Sequence, residues 1–193
     1  MTVLQPRYLH ERSQLELTLK LIAVEARTHT IKRCTGLSDD RIRKIYSRYF
    51  KSTTAATVRR RRGKSPRQVA YFVKNPDHQM QATTLYYLFV SSGLLSSDAA
   101  GTIIQNWQTP DIEYGHRALA AYDTYRRLYA APLYNFEWAW ALLQILGDAL
   151  VLTDCNDCQL RYVHDRLGID FHRCPGCELR LNVQRRPGVN RFV

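Results

Sequence analysis

The stretch Cys155–Cys177, CNDCQLRYVHDRLGIDFHRCPGC, holds four of the five cysteines in this 193-residue chain. They fall in two C-x-x-C pairs, Cys155 with Cys158 and Cys174 with Cys177, fifteen residues apart. That spacing is a zinc signature. Each C-x-x-C lets a tight turn aim two sulfurs at one ion, and four thiolates complete a tetrahedral shell. Pro175 and Gly176 suit such a turn. A filled shell leaves no place for a reactive water, so the expected Zn²⁺, one per chain, is structural. An iron–sulfur cluster is the rival metal group. The spacer QLRYVHDRLGIDFHR is long enough for a small hairpin or loop packed on the site. His164 and His172 within it read as surface imidazoles, since four sulfurs suffice. Cys34, outside the cluster, reads as a small packed residue.

Upstream, the sequence reads as mainly helical, with 45% apolar residues to build a core. Leu15, Leu19, Ile22 and Ala26 recur at helical spacing and predict a helix over 11–27. The segment HTIKRCTGLSDDRIRKIYSRYF, 29–50, has a helix-turn-helix layout. Gly36 falls at the turn, and Ser38 is an N-cap with Asp39 and Asp40 in the first turn. Ile31, Leu37, Ile42 and Ile45 are the apolar anchors. Lys32 departs from the pattern, standing where the first helix of such motifs carries a small residue. On the second helix, Arg41, Lys44 and Arg48 share an exposed face, with Arg43 to its side; they can reach phosphates or guanine edges. The stretch 51–68 is a basic linker whose Arg59, Arg60, Arg61 and Arg62, with Lys64 and Arg67, offer further phosphate contacts. Helices are expected over 82–95, 98–107, 116–129 and 135–151. Trp138 and Trp140 cannot share a helix face; both are core by default, but they and the tyrosines at 86, 87, 122, 125 and 129 also fit a partner interface. These features divide the chain into a helix-turn-helix-like part (1–50), the linker (51–68), a helical core (69–152), a Cys₄ zinc-binding subdomain (153–181) and a tail (182–193) expected to be mobile.

Charge is unevenly spread. Residues 1–68 hold 17 Lys and Arg against 5 Asp and Glu, whereas residues 69–193 hold 11 against 12. The whole net charge of +11 therefore sits in the first third. So concentrated a field attracts a polyanion, and nucleic acid is the commonest. The sequence contains no P-loop, no G-x-G-x-x-G, no H-E-x-x-H and no G-x-S-x-G. Carboxylates such as Glu137 and Asp148 read as ordinary helix surface, so the chain is not expected to be an enzyme. No run approaches the 20 or so apolar residues of a membrane span, and MTVLQPRYLHERSQ has no apolar signal core. A cytoplasmic, reducing setting is expected, which favours metal over disulfide.

The order of these features resembles the FlhC family, the larger subunit of the bacterial flagellar master activator. The resemblance rests on TGLS followed by RIRKIY, the basic linker ending in GKSP, the aromatic middle with SSGLL, and NFEWAWALLQILGDALVLTDCNDC running into CPGC. It implies a hetero-oligomer of four FlhD-type and two FlhC-type subunits that binds promoter DNA and recruits RNA polymerase. The family's structural zinc ligands carry over to Cys155, Cys158, Cys174 and Cys177. The arginine-rich linker and short tail depart from the family. Two other readings stay open: an RNA-binding zinc protein, and a zinc-stapled interaction subunit without DNA contact.

Overall fold

A computed structural model describes residues 6–51, 58–59, 61, 68–98, 102–107, 110–168 and 173–184. Most of the basic linker, with Arg60, Arg62, Lys64 and Arg67, lies outside the described residues, as do His172 and residues 185–193 of the tail. The fold is mainly helical, with two small antiparallel hairpins and the four cysteines together near its C-terminal end. Among the described residues no helix is long and apolar enough to cross a membrane.

Three helices form the N-terminal part: α1 (Pro6–Ala23), α2 (Thr28–Thr35) and α3 (Asp39–Tyr49). The first begins earlier and ends sooner than the leucine spacing predicts. It stops where the chain doubles back at Glu25, with Ala26 N–H donating to Leu21 O at 2.9 Å. Gly36 takes a left-handed φ of 72° and donates to Lys32 O at 2.8 Å. Its missing side chain makes that conformation inexpensive. Ser38 accepts from Arg41 N–H and so caps α3, as its sequence predicts. Lys32 is exposed and pairs with Asp39 at 3.7 Å. The small residue that turns inward on α2 is Cys34.

The helix α5 (Pro76–Ser91) is central and packs against α4 (Val69–Val73), α6 (Ile112–Leu128), α7 (Phe136–Ile145) and α8 (Pro175–Gln184). Asn75 caps it and Pro76 opens it, an arrangement in which proline's missing N–H costs nothing. Because α5 is surrounded, its polar residues need internal partners. Gln81 Oε1 accepts from Tyr125 Oη–H and, at 2.9 Å, from Leu133 N–H. Tyr86, Tyr122, Tyr125 and Trp140 belong to the core, whereas Trp138 is half-buried against it, stacked on Tyr71 at 4.0 Å. Tyr87 stays exposed. Between helices the chain packs tightly at Gly115 on α6: a Cβ there would stand 2.8 Å from Leu17 Cδ2 and 3.0 Å from Cys34 Cβ. Only hydrogen at that position lets α6 seat against α1 and α2.

Two helical expectations fail. In the stretch 98–107, of which 99–101 lie outside the described residues, Ile103–Gln105 is not helical: it forms β2, which pairs antiparallel with β1 (Leu95–Ser97). Just after β1, the Asp98 carboxylate accepts from Thr102 N–H at 2.8 Å. This local bond competes with helix, and the β-branched pair Ile103–Ile104 favours extension. The helix predicted over 135–151 ends at Ile145. Gly147, at φ 91°, turns the chain into β3 (Leu150–Asp154), which pairs with β4 (Arg161–Asp165). Asp148 thus lies in a turn. Pro175 and Gly176 open α8 rather than forming a loop, and that helix carries the start of the tail, through Gln184.

Candidate metal centre and nucleic-acid interface

The β3–β4 hairpin and the N-terminus of α8 bring the four cysteines together. The first pair lies in the turn between the strands, and Gln159, at φ 60°, completes that turn. Cys174 immediately precedes α8, and Cys177 lies in its first turn. All four Sγ atoms fall within 4.8 Å of one another. Cys155 and Cys177 are 3.9 Å apart, Cys158 and Cys174 3.5 Å. Four sulfurs at about 2.3 Å from a tetrahedral ion stand about 3.8 Å from each other, so the cluster has the size of a metal shell. Backbone N–H groups already point at it: Cys174 N–H donates to Cys155 Sγ at 3.1 Å, and Cys177 N–H to Cys174 Sγ at 3.4 Å.

The thiols divide in proton affinity. Burial pushes Cys155 up, but donors from Cys174, Cys158 and Asp157 outweigh it and bring the thiol down to about 6. Cys177, hydrogen-bonded to Cys158 and Cys174, is pushed up to about 12. Without a cation, four thiolates this close cannot all ionise; a divalent ion supplies the missing charge. The residues present therefore fit a metal. His164 is half-buried in β4 beside the Tyr162 ring and outside the cluster.

The hairpin is joined to the helical body along one edge. Gln79, Thr83 and Tyr87 lie four residues apart on α5 and face the outer edge of β4. Gln79 Nε2 donates to Val163 O at 3.0 Å, Val163 N–H donates to Thr83 Oγ1 at 3.1 Å, and Tyr87 Oη–H donates to Arg161 O at 2.8 Å. Side chains of a helix thus replace a third strand and leave no open edge there.

At the other end, Arg41, Arg43, Lys44 and Arg48 are all exposed on α3. They are not equivalent. Asp40 holds Arg43 at 3.3 Å and Lys44 at 3.0 Å, and the Lys44 ammonium keeps the Asp40 carboxyl below its ordinary range. Each acid of the first 68 residues is likewise engaged: Glu11 with Arg7, Glu16 with Lys20, Glu25 with Arg61, Asp39 with Lys32. Arg41 and Arg48 are in none of these pairs. They border a groove of about 440 Å³ between α1 and α3 that also includes Leu15, Ile45 and Tyr49. Arg59 and Arg61 are not part of that groove's lining; they run beside Glu25 after α1.

Glu137 corrects the sequence reading most sharply. It is 2% exposed, not helix surface. Its carboxylate accepts from Arg27 N–H at 2.7 Å at the start of α2 and pairs with Arg27 Nε at 3.4 Å. Burial nevertheless raises its pKa. Arg33, also overlooked, lies 3.6 Å over the Trp107 ring and donates to Gln144 Oε1 at 2.9 Å, tying α2 to α7. The available signal for Glu137 was one acid in the apolar run FEWAWALL; for Arg33 there was none. Cys34 is packed as expected, and burial pushes its thiol up to about 12. No protein-family model matches the chain, and no curated protein matches it.

Proposed function

We propose that the chain is a DNA-binding transcriptional activator of flagellar genes, of the FlhC type, working in a hetero-oligomer with an FlhD-type subunit. In this reading α3 enters the major groove of promoter DNA, and the assembly recruits RNA polymerase. The Cys₄ cluster holds one structural Zn²⁺ that fastens the turn of the C-terminal hairpin to the start of α8. The observation that carries the reading is the electrostatics of α2–α3: a capped, tightly turned helix pair whose acids are all engaged, with Arg41 and Arg48 exposed. Such cations exchange counterions for phosphates. The test is Arg41→Ala with Arg48→Ala, measured by gel-shift titration on promoter duplex with the partner subunit present. Duplex affinity falls and the log–log salt slope loses about 1.8 for two phosphates, while the complex still assembles. Unchanged affinity removes α3 from the contact surface.

A second reading, a zinc-stapled interaction subunit, is favoured by the same groove. Leu15, Ile45 and the exposed Tyr49 in its lining would suit the apolar side of a protein helix. It predicts that the double variant loses the partner and that neither form binds duplex.

A further inference from the structure

The turn that closes α1 uses an unusual residue. Glu25 N–H donates to Ile22 O and Ala26 N–H to Leu21 O, both at 2.9 Å, which places Glu25 at φ 58°. The same pair of bonds closes α5, where Gly93 occupies the equivalent position at φ 70°. Glycine is the unstrained choice there. Glu25 accepts the strain, and its side chain is fully used. Its Oε1 accepts from Arg59 N–H at 3.2 Å; its Oε2 meets Arg61 Nε at 3.0 Å and the second guanidinium nitrogen at 2.9 Å. Val58, between them and α3, is half-buried against the core, and its carbonyl accepts from Tyr46 Oη–H at 2.8 Å. A carboxylate therefore occupies one of the arginines that composition alone assigns to phosphate binding.

We propose that Glu25 is an electrostatic latch on the basic linker: it clamps Arg61 against the α1–α2 turn, and a phosphate or sulfate polyanion displaces it. The displacement rests on the nucleic-acid reading; the clamp does not. Carboxylate and phosphate present the same paired oxygens to a guanidinium, so one replaces the other without new geometry. The clamp is partly solvated, which keeps it weak enough to exchange.

The test uses the intact chain and heparin as the probe. Glu25→Gly suits the left-handed turn and keeps the fold; Glu25→Gln is the near-isosteric partner; Glu16→Gln removes an acid from α1 without touching the linker. Amide exchange at Arg59 speeds up about tenfold or more in Glu25→Gly, less in Glu25→Gln, whose amide oxygen still accepts from Arg59 N–H, and not in Glu16→Gln. Heparin binds both Glu25 variants about two- to fivefold more tightly, the worth of an exposed pair. The salt slope steepens by about one, because no carboxylate must recover a counterion. In the wild type, saturating heparin releases Arg59 amide protection. Glu25 variants indistinguishable from Glu16→Gln overturn the latch. Heparin bound to wild type with Arg59 still protected overturns displacement and leaves nucleic-acid binding standing. Failure of every variant to bind heparin overturns displacement and the nucleic-acid reading together.

Discussion

Replacing Thr83 by valine isolates the joint between the metal hairpin and the helical body. The two side chains have nearly the same shape, and Thr83 is 4% exposed, so packing is conserved. What is lost is the acceptor for Val163 N–H, which lies at 3.1 Å in a residue that is fully buried. No water reaches that amide, so its orphaning costs about 1–3 kcal/mol. At roughly 2–4 °C per kcal/mol for a chain of this size, a midrange loss of about 2 kcal/mol lowers the melting midpoint by about 4–8 °C. Thr124→Val is the control, since Thr124 is exposed and bonds only Ala120 O within its own helix. That change stays within about 0.5 kcal/mol. Calorimetry of both variants, with amide exchange at Val163, makes the measurement. A coloured chelator should also strip the metal faster from Thr83→Val. An unchanged midpoint with Val163 still protected refutes the idea that α5 side chains complete the sheet edge.

Three further perturbations address other parts of the molecule. Cys155→Ser removes a thiol with 0% exposure from the four-cysteine cluster; on the zinc reading the purified variant loses the ion and some solubility, and full zinc occupancy by elemental analysis contradicts the ligand set. Gly115→Ala forces a methyl against Leu17 and Cys34 and costs about 1–3 kcal/mol in denaturant melts; a neutral result means α6 does not seat there. Glu137 has a folded-state pKa raised above the ordinary 4.5, so the native state binds the extra proton. Its contribution to stability is present below the ordinary value and declines as pH rises through the raised one. The stability of Glu137→Gln relative to wild type should therefore improve as pH climbs from below 4.5 and then level off; a difference that is flat with pH contradicts the burial argument.

The parts of the fold legible in the sequence are those decided locally. Ser38 announces a helix start because a cap is a bond between neighbours, and it makes that bond; Asn75 caps α5 in the same way, six residues and more before the start expected at 82. The paired cysteines likewise encode their own meeting. What escaped was decided at a distance or by competing turn chemistry. Residues 98–107 have a composition that suits a helix, yet the Asp98–Thr102 bond and Gln105 alter the outcome. Gln105 Nε2 reaches the carbonyls of Leu143 and Gln144 at 3.0 and 3.1 Å, contacts no local pattern foretells. Glu137 was misread because an acid in the first turn of a helix is ordinarily solvated, and only the packing of α2 across it reverses that. The basic surface was legible as charge but not as geometry. Composition counts Arg61 with its neighbours, whereas the fold assigns it to Glu25.

The most direct test is a salt titration of the purified chain with its partner subunit against promoter duplex and single-stranded RNA of equal length. The account predicts tighter binding to duplex, with an affinity that falls steeply and linearly in log–log form as salt rises. Equal or tighter binding to the single strand, or no duplex binding at low salt, contradicts it.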